Sequence, residues 1–494
     1  MMRVEATMRN AGFLVIQRGL SLGGGFLYAA LIPRMMGPEV YGQFALITSL
    51  SLWFSLASGL GITQVISRET PPLASGPDLT RLRAFFGQLL TVRIASGAAA
   101  GLAFMLLVGP WLTEINRLAL WAVATTVFVR SLSSTLYAYF LGLNQAWRWG
   151  TRDVLSRIFP LLLIVPGYQL AGLPGACLGL LIGEAAVVGV AAWWARHYLS
   201  LAGLLSGWGG LAPYLRFGLG FYASTLLVAF FQRSGEPLVR LFHGDYAQVG
   251  YFGLAYKGYL TAEAIIPQLT LSFVPFLVTV NGQQGPGGVA RWAERLVRWL
   301  GIAGMLGIGG VCLLAGDVVP AVLGAAYAPV ALLLVPLAWS LIPQAWSAIS
   351  RLMAVVYDRP GEAVAASSLR LILLWIGGPV LVSRLGGFGA SLAVLAAISG
   401  YAIYFGWRMR SVAPYRLTPW LISLLLGGWF VFLLPLRSSV FVNIGLFLLF
   451  AVVYLGLLLS FGLIRIDEIR RAWAIVRLPP EQERDLAHPG PRET

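Results

Sequence analysis

Six positively charged side chains lie within long apolar stretches of this 494-residue chain. They are Arg18, Arg93, Arg130, Lys257, Arg351 and Arg370. A cation at the centre of a membrane helix costs about 2.5–3.5 kcal/mol on insertion scales, and more when it must face lipid. Each is therefore expected to face water, a carboxylate or the negative charge of a ligand. Because a guanidinium matches two phosphate oxygens at once, a phosphate-bearing ligand in a wet cavity satisfies this pattern.

The same six residues have structural alternatives. They could form ion pairs within the protein, or donate to backbone carbonyls where a helix is broken. Arg351 and Arg370 lie closer to predicted cytoplasmic helix ends, where a long side chain can also extend to the membrane interface.

Two carboxylates, Glu184 and Glu263, lie within apolar stretches as well. A carboxylate deprived of water is a candidate carrier of a proton or a cation, so both are candidate ion-coupling residues. The alternative is an ion pair with one of the arginines. Lys257 and Glu263 are six residues apart and occupy different faces of one helix, so they are not expected to pair with each other.

Composition identifies the environment that these side chains meet. Hydrophobic residues make up 58% of the chain and charged residues 11%, against about 25% charged in soluble proteins. Apolar windows of membrane-crossing length predict about fourteen helices. The bias of Lys and Arg towards alternate loops places both termini in the cytoplasm. That bias also accounts for the formal charge of +15, so no nucleic-acid partner is expected.

Two short motifs occur once in each half of the chain. The segment Gly42–Leu46 reappears as Gly250–Leu254, and Gly172–Leu178 reappears as Gly386–Leu392. Each half holds an even number of predicted helices, so the halves should form a parallel repeat about an axis along the membrane normal.

The predicted fold is all-α and polytopic, with two six-helix lobes and two extra helices. The predicted parts are an N-lobe (1–199), an interlobe linker (200–213), a C-lobe (214–410), two further spans (411–463), and a cytoplasmic amphipathic helix with a disordered tail (464–494).

The run RMMGPEVYGQFAL, from Arg34 to Leu46, resembles the first-turn signature of the polysaccharide (O-antigen) flippases. These belong to the multidrug/oligosaccharidyl-lipid/polysaccharide exporter superfamily, and the fourteen-span layout is also similar to that of its lipid II flippases. The resemblance implies alternating-access translocation of an undecaprenyl-pyrophosphate-linked oligosaccharide across a bacterial cytoplasmic membrane for polysaccharide biosynthesis. It further implies a cationic lumen with basic residues on the first and eighth spans, which carry Arg18 and Lys257 here.

The resemblance also implies a monomer in contact with membrane lipids. Its expected partners are the polymerase and glycosyltransferases of the same pathway. Two alternatives of the same fold remain, a lipid II flippase and a cation-coupled multidrug exporter. The exporter is disfavoured because the first span offers Arg18 and no carboxylate. A membrane polymerase is disfavoured because the predicted external turns are short.

Motifs for catalysis are missing from the sequence. It contains neither a GxxxxGK[ST] phosphate loop nor an HExxH motif, and its two cysteines, Cys177 and Cys312, lie in apolar stretches. We therefore expect a transport protein without enzymatic activity, cofactor, metal site or disulfide.

Overall fold

The computed structural model describes residues 2–74, 79–199 and 210–464. Side chains before Gln17 and the side chain of Arg18 lie outside this description, as do most of the predicted linker and the segment beyond Ile464. The α-helices are α1 (Met2–Ala57), α2 (Ile62–Ala74), α3 (Leu79–Val108), α4 (Arg117–Gly142), α5 (Ala146–Ala195), α6 (Ala212–Gln232), α7 (Gly235–Phe242), α8 (Tyr246–Glu263), α9 (Ile265–Leu271), α10 (Val274–Leu323), α11 (Pro329–Trp339), α12 (Leu341–Val356), α13 (Pro360–Arg410), α14 (Thr418–Gly427) and α15 (Val440–Ser460). Short 3₁₀ segments cover Ala325–Tyr327 and Gly428–Leu436, and the described residues contain no strand.

Four long helices each join two spans through a glycine kink. The kinks lie at Gly37, Gly172, Gly285 and Gly386, all with positive φ, which glycine adopts without the steric cost of a Cβ. Dividing the helices at these kinks, and joining short helices that continue one another, gives fourteen spans. Within the described residues, nine helices are long and apolar enough to cross a membrane. The predicted all-α polytopic fold is confirmed.

The repeated motif at the second kink is also a structural repeat. Gly172 has φ/ψ of 60°/−141°, and its counterpart Gly386 has 58°/−134°. Three residues beyond each kink, Gly175 and Gly389 approach a backbone carbonyl of the preceding helix so closely that a Cβ on either would collide with it. The two hairpins therefore pack in the same way.

The two halves meet where the first motif repeats, on α1 and α8. A Cβ on Gly42 would collide with the carbonyl oxygen of Tyr246 and lie 3.0 Å from the amide nitrogen of Gly250. One turn further along both helices, the Cβ of Ala45 is 3.6 Å from the Cβ position of Gly253. Because both contacts advance in the same chain direction, the two helices run parallel, as a parallel repeat requires.

Side chains join the lobes at the predicted external end. Arg240 Nη2 lies 2.8 Å from a carboxylate oxygen of Glu114, and the Tyr327 hydroxyl donates to the carbonyl of Pro33 at 2.7 Å. Together with the close glycine contact, these bonds hold this end of the bundle shut in the present conformation.

Candidate anion-binding site between the lobes

Lys257 on α8 lies against two tyrosines of α1. Its Nζ donates to the Tyr41 hydroxyl at 2.7 Å and lies 5.1 Å from the Tyr41 ring centroid and 5.9 Å from that of Tyr28. Among the described residues, no carboxylate lies within ion-pairing distance of this ammonium. An ammonium carries three donors, and the tyrosines leave part of that capacity for a ligand.

The N-lobe contributes an ion pair to the same region. Arg130 Nε on α4 lies 2.8 Å from Glu184 Oε1 on α5, with side chains that are 17% and 5% exposed. The Tyr28 hydroxyl is within electrostatic range of both partners and of Lys257. Lys257 and the ion pair therefore both lie within electrostatic range of Tyr28, and Glu184 forms the ion pair considered above as an alternative.

Four more ionisable residues near this region were not identified by the sequence pattern: Arg152, Arg157, Arg233 and Glu236. Arg152 Nε donates to Ser133 Oγ at 3.1 Å. Glu236 is buried and accepts a hydrogen bond from Ser49 Oγ at 3.3 Å. Arg233 and Glu236 both act electrostatically on Lys257.

The reasons for missing these residues are physical. Arg152 and Arg157 lie before the kink of α5, in the predicted cytoplasmic half of the fifth span, where excess cations are ordinary. Arg233 and Glu236 flank the break between α6 and α7, and an apolar window averages over such a break. The sequence signal for them is a polar cluster, Gln232 to Glu236, at the end of the predicted seventh span (214–234).

Arg93 on α3 donates to backbone carbonyls at a helix break, the structural role that was the alternative to ligand binding. Its side chain is buried and donates to the carbonyls of Ser58 and Ser131 and to the Ser134 hydroxyl. Ser58 lies in the break between α1 and α2, where carbonyls lack helical partners. Arg93 therefore donates to carbonyls that the broken helix leaves without partners, at a point where Tyr222 of α6 in the other lobe also contacts the break.

Replacing Arg93 with alanine is expected to destabilise the protein by about 2–5 kcal/mol, since each orphaned buried acceptor costs roughly 1–3 kcal/mol. The measurement is thermal unfolding of the purified chain in detergent, followed by tryptophan fluorescence. Arg384→Ala, which removes an exposed arginine of α13, is the matched control. Equal unfolding temperatures for the two variants would contradict the capping role.

A second polar cluster lies inside the C-lobe. Glu263 is buried and accepts hydrogen bonds from the side-chain amides of Gln344 at 2.6 Å and Gln232 at 3.3 Å. Arg351 Nη2 lies 3.1 Å from the Tyr401 hydroxyl, to which it donates. Glu263 thus has neutral partners within hydrogen-bond distance, and Arg370 and Arg351 are its electrostatic neighbours.

Arg370 belongs to this C-lobe cluster. It is only 2% exposed, so it does not extend to the membrane interface. Its guanidinium carbon lies 4.1 Å from the ring centroid of Phe231 and 5.0 Å from that of Tyr401, and its Nε has no hydrogen-bond partner. The structure therefore divides the predicted site residues into an interlobe group with Lys257, a C-lobe group with Arg370, and Arg93. Arg18 lies on α1, and its side chain is outside the described part.

Comparisons with known proteins were made by sequence and by fold. No family model and no curated protein matches the sequence. The inward closed conformation of the lipid II flippase MurJ matches with a TM-score of 0.68 at 14% identity, over 93% of this chain and 100% of that chain. An inward-facing multidrug resistance MATE family transporter of the MOP superfamily matches with a TM-score of 0.62 at 16% identity, over 80% of this chain and 94% of that chain. An outward-facing MATE transporter of that superfamily matches with a TM-score of 0.52 at 14% identity, over 82% and 94%. The chain therefore has the multi-pass membrane fold that the MurJ flippase shares with MATE transporters.

Proposed function

We propose that this chain is a flippase that carries an undecaprenyl-pyrophosphate-linked oligosaccharide across the bacterial cytoplasmic membrane by alternating access, for polysaccharide biosynthesis. One observation carries the proposal. Lys257, at the contact between the lobes, has tyrosines as its hydrogen-bonding and ring partners and no ion pair with a described carboxylate. A pyrophosphate would supply the ion-pairing partner that this ammonium lacks among the described residues.

The surrounding charge supports an anionic substrate. The described cations of this region outnumber its carboxylates: Arg130, Arg152, Arg157, Arg233 and Lys257 against Asp153, Glu184 and Glu236. Cationic drugs, the substrates of a multidrug exporter, would be repelled by this surplus. We therefore consider a multidrug exporter a weaker proposal than a flippase.

A lipid II flippase is the second candidate, favoured by the match of the MurJ lipid II flippase over 93% of this chain. Lipid II and a lipid-linked polysaccharide precursor both carry pyrophosphate, so Lys257 would serve either. We propose the same membrane orientation for both, with cytoplasmic termini, a monomeric chain, and pathway polymerases and glycosyltransferases as neighbours.

Charge removal at Lys257 is expected to abolish transport in cells. Lys257→Gln loses one charged hydrogen bond worth about 1.5–3 kcal/mol, so its affinity for the pyrophosphate should be roughly 10- to 100-fold lower. Lys257→Arg keeps the charge and should keep most activity. The measurement is the leaflet in which lipid-linked sugar accumulates when cells depend on each variant. Accumulation on the cytoplasmic side with Lys257→Gln fits flipping. Accumulation of unpolymerised sugar outside would instead support a polymerase.

A further inference from the structure

The triple glycine of α1 makes room for one arginine of α5. A Cβ on Gly25 would overlap Nη1 of Arg157, and a Cβ on Gly24 would lie 3.7 Å from the Arg157 Cβ. A Cβ on Gly23 would meet no atom within 4 Å. The guanidinium therefore occupies a notch that only the missing side chain of Gly25 provides.

This contact is part of a regular packing between α1 and α5. Two turns before the notch, Gly150 of α5 lies against the Gln17 side chain, and a Cβ on Gly150 would overlap its Oε1. Both helices advance by about seven residues, or two turns, between this contact and the notch. Arg157 is thus held at a fixed height along α1 by the packing of the helices.

The charge of Arg157 is uncompensated within the described residues. The side chain is exposed, and no described carboxylate lies within ion-pairing distance of it. Asp153, one turn earlier on the same helix, does not pair with it either. A guanidinium on a membrane span cannot remain in lipid without large cost, so it faces water or a ligand.

The notch lies on the same helix face as Tyr28, the one of the two tyrosines at Lys257 that precedes the kink at Gly37. Tyr28 follows Gly25 by three residues, and positions three apart on a helix are neighbours. The Tyr28 ring contacts Lys257 at 5.9 Å. Arg157 from the N-lobe and Lys257 from the C-lobe therefore approach adjacent positions of α1 from the two lobes.

We infer that Arg157, seated against Gly25, and Lys257 form a two-part site for a diphosphate, with one cation for each phosphoryl group. The inference rests on the proposed function and adds to it a way of selecting the substrate. A lipid monophosphate engages one of the two cations, whereas a lipid diphosphate engages both. The chain thus distinguishes the loaded pyrophosphate carrier from a bare monophosphate lipid.

The test is binding of undecaprenyl pyrophosphate and undecaprenyl phosphate to the purified full chain, measured by native mass spectrometry in detergent. The wild type is expected to prefer the diphosphate by roughly 10- to 100-fold, the value of one charged hydrogen bond. Arg157→Gln should lose this preference while retaining affinity for the monophosphate.

Glycine variants separate this role from a fold defect. Gly25→Ala meets only the far end of a flexible side chain, so it should displace Arg157, remove the preference and leave thermal unfolding unchanged. Gly23→Ala, with open space around its Cβ, is the matched control and should behave as wild type. Combining Gly25→Ala with Arg157→Gln should add nothing beyond either single change.

The outcomes distinguish the two proposals. If the wild type binds neither lipid, the proposed function fails. If the wild type binds the diphosphate more tightly and both Arg157→Gln and Gly25→Ala keep that preference, the two-part site is overturned and the flippase proposal stands.

Discussion

Replacing Gly42 with alanine is expected to open the predicted external end and to abolish transport. The new Cβ would collide with the backbone carbonyl of Tyr246, which cannot move aside as a side chain could, so the lobes must separate. Overpacking of this kind costs about 1–3 kcal/mol, enough to lower the ratio of closed to open states by roughly 5- to 160-fold. Spin labels at Glu39 and His243, one exposed site on each lobe, should report a longer distance in the variant.

The control for this prediction is Gly377→Ala on α13, where a Cβ meets nothing within 4 Å. It should leave the distance and the transport rate at wild-type values. Spin labelling of either variant requires that the two buried cysteines, Cys177 and Cys312, first be replaced by alanine. An unchanged distance in Gly42→Ala would mean that the glycine contact does not hold the external end closed.

Replacing Glu184 with alanine is expected to destabilise the fold by about 3–5 kcal/mol, because it leaves the Arg130 guanidinium without its counter-charge in a mostly buried site. Removing both charges, in Arg130→Met with Glu184→Leu, should restore most of the lost stability. The measurement is thermal unfolding of the purified variants in detergent.

The double variant also tests ion coupling. If Glu184 carries a coupling proton or cation, transport by the folded double variant should no longer depend on an ion gradient. If transport by the double variant remains coupled, Glu184 is a structural partner of Arg130. Equal stability of Glu184→Ala and wild type would contradict the ion pair itself.

Much of the fold can be predicted from the sequence because its signals are local. Apolar windows locate the spans, and the repeated glycines at Gly172 and Gly386 mark kinks that only residues without a Cβ adopt cheaply. Breaks inside spans are less visible. The predicted second span, residues 40–62, continues past the end of α1 at Ala57, because an apolar average does not register a few residues of broken backbone.

The candidate site is harder to predict because its partners are far apart in the chain. The sequence shows that Arg130 and Lys257 lie deep in apolar stretches. It does not show the partner of either side chain, because that depends on how the helices pack. Arg130 meets a carboxylate on another helix, and Lys257 meets a tyrosine in the other lobe. Arg157 has no sequence signal beyond its charge, and only its contact with Gly25 distinguishes it from an interfacial arginine.

The glycine contact and the lysine site are adjacent, which links substrate binding to movement of the lobes. The Tyr41 hydroxyl accepts a hydrogen bond from Lys257, and Tyr41 directly precedes Gly42, the residue at the close approach of the two lobes. A pyrophosphate that draws Lys257 away from Tyr41 would therefore act on the contact that keeps the external end shut. The predictions for Gly42 and for Lys257 therefore both concern the contact between α1 and α8.

The central claim is that the chain moves a lipid-linked pyrophosphate between leaflets through the site at Lys257. The direct measurement is the transfer of a fluorescent undecaprenyl-pyrophosphate-linked sugar between the leaflets of proteoliposomes that contain the purified chain. We expect transfer with the wild type and loss of transfer with Lys257→Gln at equal protein content. Transfer at the same rate in both, or none above that of protein-free vesicles in either, would contradict the account.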